Sequence, residues 1–238
     1  MICAIMQPTY LPWLGYFELI AKSDVFVFFD DVQFIKRSWQ HRNRIKSNQG
    51  ELMLTVPVLS KGKHGQKINE VEISNDGHWR KKHIQSIKVN YRKARYFRDY
   101  IDELEHIYSK DYSRLLDLNV TLTKFLMAKI GIKTRTILSS QLQVEGERNE
   151  KIVGICKKVQ ADVLYDAQGA QEILDQGYFE QNNVKLVFQK YQHPVYRQLG
   201  PFIPYMSTLD LLFNEGTGSL DIINGCKSLT EITHDPRC

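Results

Sequence analysis

The amino-acid sequence predicts an α/β fold of Rossmann-like character, with a mainly parallel sheet, flanking helices and a helical insertion around residues 77–130. Three observations carry this. Short apolar runs bounded by turn residues alternate with segments of helical period. The first such unit, residues 2–29, reads strand, loop, helix, strand. The middle of the chain keeps a helical period over most of residues 77–130.

Residues 2–6 (ICAIM) are apolar and closed by Gln7-Pro8, which predicts a buried strand. Pro8 and Pro12 impose a non-helical loop, because proline lacks an N–H and restricts the residue before it. Trp13, Leu14, Phe17, Ile20 and Ala21 then recur at helical spacing. Residues 24–29 (DVFVFF) predict a second buried strand that ends in Asp30-Asp31. A right-handed crossover would make the two strands parallel neighbours, with residues 7–10 and Asp30-Asp31 at one crevice beyond their carboxyl ends. Residues 51–58 and 68–73 predict a hairpin-like pair around the Gly- and Lys-rich loop 60–66. Helices are expected at 78–90, 96–108 and 111–130, the last capped by Gly131. A strand at 133–138 leads to Ser139-Ser140. A helix at 147–159, a strand at 162–165, a helix near 169–175, a strand at 184–188 and two short helices complete the pattern. No linker or internal repeat divides residues 1–238, so they read as a single domain, with fraying expected after Gly225.

A chain of 238 residues can bury a core without disulfides or a structural metal. Its four cysteines, Cys3, Cys156, Cys226 and Cys238, form no CxxC and read as reduced thiols, with Cys3 in the core. No apolar run approaches the ~18 residues of a membrane span, and the first residues lack the basic and long apolar regions of a secretory signal. A cytoplasmic location is therefore expected. The net charge of +5 fits either a phosphorylated small molecule or nucleic acid. The absence of a nucleic-acid reader motif favours the small molecule. No HExxH, GxSxG, P-loop, GxGxxG or Cys/His set occurs, so no metal or cofactor is implied.

The densest candidate site is DDVQFIKRSWQHRNRI, residues 30–45. Lys36, Arg37, Arg42 and Arg44 suit phosphate or carboxylate, Trp39 offers a stacking face, Asn43 could position a ligand, and Asp30 or Asp31 could act as a base. A solvated turn with internal ion pairs to Arg37 or Arg42 explains the same composition. Strand alternation would let at most one of Asp30 and Asp31 point into the crevice. The second candidate is the loop and helix start carrying Gln7, Tyr10, Trp13 and Tyr16, where free N–H groups would face a ligand. Trp13-Leu14-Gly15-Tyr16 lies where HxGH nucleotidyltransferases carry two histidines. Trp13 and Tyr16 replace both, which argues against that chemistry, and core packing is the other reading of these rings. Ser139 and Ser140 could bind phosphate or cap a helix. His83 could be a base or a packed helical histidine. Asp210 stands near capping-box spacing after Ser207 and reads as structural.

Taken together, QPTYLPWLGYFELIAKSDVFVFFDDVQFIKRSWQHRNRIK, the TVPV segment at 55–58, Trp79 with His83, Tyr91 ahead of Tyr96-Phe97, Ser139-Ser140 and STLDLLFNEG at 207–216 resemble the WbqC-like family over nearly the whole chain. Relatives carry a Ser-Gly stretch after the tyrosine at 165; here the residues are Asp166-Ala167-Gln168-Gly169. The resemblance implies a cytoplasmic step in surface-polysaccharide (O-antigen) biosynthesis, on a nucleotide- or lipid-linked sugar. It supplies no catalytic residues. The expected activity is a group transferase using an activated sugar or an acyl or aminoacyl donor. The expected partner is a phosphorylated or carboxylated small molecule such as a nucleotide sugar. A non-catalytic binding or scaffold protein of the same assembly pathway, or a nucleic-acid-binding protein, is the alternative.

Overall fold

The computed structural model describes residues 1–225. Cys226, Cys238 and the expected frayed end lie outside the described residues.

Five parallel strands form the main sheet: β1 (Ile2–Met6), β2 (Val25–Phe28), β5 (Arg135–Leu138), β6 (Val163–Asp166) and β7 (Lys185–Phe188). Their spatial order is β5-β2-β1-β6-β7. Counted in chain order within this sheet, that is the 3-2-1-4-5 order of a Rossmann-like sheet, with its switch between β1 and β6. The predicted α/β class is therefore the observed one. Period-two alternation splits the strand side chains between two cores. Ala4, Phe26 and Phe28 enter the larger cluster with Leu14 and Phe17 of helix α1 (Leu14–Ala21). Cys3, Ile5, Val25 and Val27 face the other side. There they meet Ile152 and Ile155 of helix α6 (Arg148–Lys158) and Phe179 of helix α7 (Gln176–Gln181). Each such fully buried aliphatic or aromatic side chain contributes roughly 1.5–3 kcal/mol.

The segment between β2 and β5 differs from expectation in one respect. Its hairpin is β3 (Arg42–Ser47) with β4 (Gly50–Thr55). The predicted partner of residues 51–58, residues 68–73, meets that segment at the isolated bridge of Val58 with Ile73 and otherwise forms a short 3-10 turn at Ile68–Glu70 and a bridge of Glu72 with Arg114. The reason lies in β3, RNRIKS, where buried Asn43 and Ile45 alternate with charged residues. That alternation is a strand signal inside what composition marks as a polar loop. Helices α2 (Trp79–Tyr91), α3 (Phe97–Ser109) and α4 (Leu115–Ile130) follow, and α2 packs on β3, where its Tyr91 hydroxyl accepts the Lys46 N–H at 2.8 Å. α3 buries Tyr100, Ile101, Leu104, Ile107 and Tyr108 on one stripe. α4 begins at Leu115 rather than 111, because Arg114 bridges to Glu72. It ends at Gly131, whose φ of 92° is left-handed and whose N–H returns to the Met127 carbonyl. The helix expected near 169–175 is a 3-10 turn at Gln168–Ala170, and the α-helix follows as α7. A four-residue helix α5 (Ser139–Leu142) follows β5, and α8 (Thr208–Glu215) and α9 (Ser219–Ile223) close the described chain. No described helix is long and apolar enough to cross a membrane.

Candidate functional site

β1 and β2 are parallel neighbours, so Gln7 and Asp31 emerge at the same edge of the sheet. Both line a cleft of about 1230 Å³ with Lys67, the first turn of α6 and Tyr178 of α7. This is the carboxyl edge, where open α/β sheets hold ligands. Glu147, the N-cap of α6, makes no side-chain cap. The positive end of that helix therefore faces the cleft alongside Arg148 and Lys151, opposed by Glu145, Glu147 and Glu150.

Beneath the cleft lies a hydrogen-bonded cluster from the residues just after β2, the start of α5 and α6. Asp30 is fully buried. It accepts the Ser140 N–H at 3.0 Å, the Ser140 hydroxyl at 2.6 Å and the Asn69 amide at 3.3 Å. The Ser139 hydroxyl lies 3.0 Å from Asp30 and 2.5 Å from Asp31, and itself accepts the Asp30 N–H at 3.1 Å. One hydroxyl has one proton. Asp30 already has three other donors, so the Ser139 proton belongs to Asp31. The second oxygen of Asp31 meets the Lys151 ammonium at 2.6 Å, both side chains being mostly buried. β2 stops at Phe28, so strand alternation does not govern Asp30 and Asp31. The expectation that at most one of them points into the crevice agrees with the structure, though not through strand alternation: Asp31 lines the cleft, Asp30 is a sealed anchor, and both reach Ser139.

Other predicted residues go elsewhere. Tyr10 is fully buried, its hydroxyl 2.8 Å from Nδ1 of His83 and hydrogen-bonded to the Tyr108 hydroxyl. The Thr55 carbonyl is the other polar neighbour of the His83 ring. A carbonyl only accepts, so Nε2 carries the proton and Nδ1 accepts from Tyr10. Burial pushes the His83 pKa down to about 4, only partly offset by Thr55. His83 is thus a neutral core residue, apart from the sheet's carboxyl edge. Asn43 is buried and holds the Tyr10 and Leu11 carbonyls at 3.1 and 2.8 Å, so it ties the loop after β1 to β3. Tyr16 is buried against Phe17 and Phe26 and donates to the Gln7 carbonyl at 3.2 Å. Gln7 in turn accepts from the Gln40 amide at 2.8 Å.

The cations do not converge. Lys36 and Arg37 lie on an exposed turn, where Arg37 has a φ of 60° and its N–H meets His41. Arg42 is half-buried on β3 opposite Thr55. Arg44 pairs with Glu51 at 2.9 Å and lies 5.2 Å over the Trp39 ring, so the exposed stacking face of Trp39 is used internally. Trp13 stands at the N-cap of α1, stacked with His193 and beside Tyr191 and Tyr205. Its ring packs on Gly15 so closely that a Cβ there would lie 2.4 Å from it. The glycine of this motif therefore serves packing.

The sequence reading missed Lys151, Asn69 and Tyr108, which reach these sites from distant positions with no local motif. It also missed Asp166 at the carboxyl end of β6. That side chain is 7% exposed, and burial pushes its pKa up to about 6 despite the Ala167 N–H at 2.7 Å. Its position as the last residue of a strand was the available signal.

A family model described as the WbqC-like protein family matches residues 7–222. A Mycobacterium tuberculosis (strain ATCC 25618 / H37Rv) protein described as uncharacterized protein Rv1507c is 36% identical over 227 residues, covering 94% of this chain and 98% of that protein. No solved structure matches the chain. The matched span begins at Gln7 and runs past α8, taking in the cleft floor and the buried Tyr10–His83 pair alike, and on that coverage the chain belongs to the WbqC-like protein family.

Proposed function

We propose that the protein is a group transferase that takes an activated sugar or an acyl or aminoacyl donor in the carboxyl-edge cleft, in the biosynthesis of a bacterial surface polysaccharide. The observation that carries the reading is the Asp31–Lys151 pair, set at 2.6 Å beside Ser139 on the cleft floor. The polysaccharide setting rests on the family resemblance. Asp31 accepts the proton of an acceptor amine or hydroxyl as that group attacks the donor carbon. Lys151 holds Asp31 in place and offers its charge to the oxygen of the leaving group. Arg148, Lys67 and the uncapped start of α6 suit the anionic part of the donor. The acidic residues on the same rim suit an amine, which favours an amino sugar or aminoacyl group over a simple phosphate ester.

The test is turnover with a panel of nucleotide sugars and acyl donors, comparing the native protein with Asp31→Asn. Transfer by the native protein and its loss in the variant support the reading. Saturable binding of a donor with no transfer by either protein assigns a binding role instead.

A further inference from the structure

A second cavity, of about 520 Å³, lies away from the parallel sheet, between the β3–β4 hairpin, the end of α2 and the segment around Gly200. It shares no lining residue with the carboxyl-edge cleft. Among the described residues, three cations line it, Lys46, Arg92 and Lys93, and no Asp or Glu does. The other cleft mixes both signs. We propose that this second cavity binds a soluble phosphate ester with an apolar group attached.

Lys46 is the decisive residue. It is only 6% exposed. Its ammonium donates to the Gln198 side-chain oxygen at 3.1 Å and to the Pro201 carbonyl. Both acceptors are neutral, and among the described residues no carboxylate forms an ion pair with it. An ammonium has three donors, and these contacts use two. Asp210 acts on Lys46 only through space, and its own carboxylate accepts from the Tyr196 hydroxyl at 2.8 Å. Burial accordingly pushes the Lys46 pKa down, which an anion in the cavity would reverse. A buried cation without a contacting anion is costly in a finished core and useful in a site that receives one.

Arg92 and Lys93 stand just past the carbonyl end of α2, where the helix dipole alone favours a cation. That accounts for surface charge there, but not for Lys46, which is buried on a different element. An arginine fork and two ammonium groups around one cavity suit the several oxygens of a phosphate better than the two of a carboxylate. Asn90 adds an amide, and Val89, Leu199 and Ile203 supply apolar wall for a ring or chain.

Calorimetric titration of the full chain with phenyl phosphate, inorganic phosphate and phenol tests this. The expected order of affinity is phenyl phosphate above inorganic phosphate, with no binding of phenol, and affinity falling as salt is raised. The surface variant Arg92→Glu/Lys93→Glu should lose at least about tenfold, and Lys46→Met should lose binding while keeping its far-UV circular dichroism. Asp31→Asn should leave phenyl phosphate binding unchanged. No binding by the native protein at millimolar ligand would overturn the proposal. So would affinity untouched in Arg92→Glu/Lys93→Glu, or lost in Lys151→Ala instead, since the anion would then sit in the other cleft. Co-sedimentation with phosphatidic-acid vesicles that phenyl phosphate does not reduce would place the anion site on a membrane surface and equally overturn it.

Discussion

Two polar clusters of this protein use similar chemistry in opposite ways. At the carboxyl edge of the sheet, Asp30, Asp31, Ser139, Ser140 and Lys151 keep charges in a hydrogen-bonded floor that opens to a cleft. Beneath α2 and α3, Tyr10, His83 and Tyr108 form a chain that is closed from solvent and neutral. At the cleft a counter-charge lets Asp31 keep its charge; in the Tyr10–His83–Tyr108 chain the groups hydrogen-bond without ionising. The first arrangement can exchange a proton with a ligand. The second can only hold elements together.

The largest effect that separates them is catalytic. Asp31→Asn should lower turnover by about 10²–10⁴-fold, the usual contribution of a positioned acid or base, in a steady-state assay with whichever donor is accepted. His83→Gln should leave turnover within about threefold. Equal losses in both variants would join the clusters into one site. Asp30 sits between the extremes. Asp30→Ala leaves the Ser140 N–H and hydroxyl and the Asn69 amide without their acceptor in a buried place. It should lower the unfolding free energy by about 3 kcal/mol, read as a shifted urea midpoint at constant slope. A wild-type midpoint would show that water replaces the carboxylate and that the anchor is dispensable.

How much of this was legible depends on whether a feature is local. β1, α1 and β2 follow from apolar period and two prolines, and their parallel pairing places Gln7 and Asp31 as expected. β3 was not legible, because RNRIKS has the composition of a ligand loop and the alternation of a strand. Composition says which charges are near in sequence, while the strand sends Arg42, Arg44 and Lys46 to different neighbours from Lys36 and Arg37. The partners that define each cluster, Lys151 for Asp31 and Tyr108 for Tyr10, come from distant helices. Only tertiary packing brings them in.

The clusters should also differ in response to acid. The His83 pKa is about 4 in the fold against 6.5 when free. As pH falls below 6.5 the unfolded chain takes up this proton first, so the stability tied to neutral His83 is intact above 6.5 and is lost progressively towards 4. At about 1.4 kcal/mol per pH unit the full loss is roughly 3 kcal/mol. Asp166 and Asp210, both pushed up to about 6 by burial, act with the opposite sign over an overlapping range. The whole-protein curve can therefore stay flat. The difference between the native protein and His83→Gln isolates the histidine, and it should narrow or reverse between pH 6.5 and 4 in urea titrations. A difference constant with pH would mean that His83 titrates as a free imidazole.

The smallest effect bears on whether the buried chain is only structural. Tyr108→Phe removes the hydroxyl that donates to Tyr10 but leaves the Tyr10 proton on its path to His83. No donor is stranded, because the deleted atom carried the proton of that bond. The cost should be that of one neutral buried hydrogen bond, about 1 kcal/mol, seen as a small drop in urea midpoint with unchanged turnover. Tyr10→Phe deletes the middle of the chain and leaves both Nδ1 of His83 and the Tyr108 hydroxyl unpaired, so it should cost about twice as much. If Tyr108→Phe instead slowed turnover tenfold at unaltered stability, the proton chain would reach a reacting group. The separation of an open, charged site from a closed, neutral one would then fail at the tyrosine that joins α3 to the loop after β1.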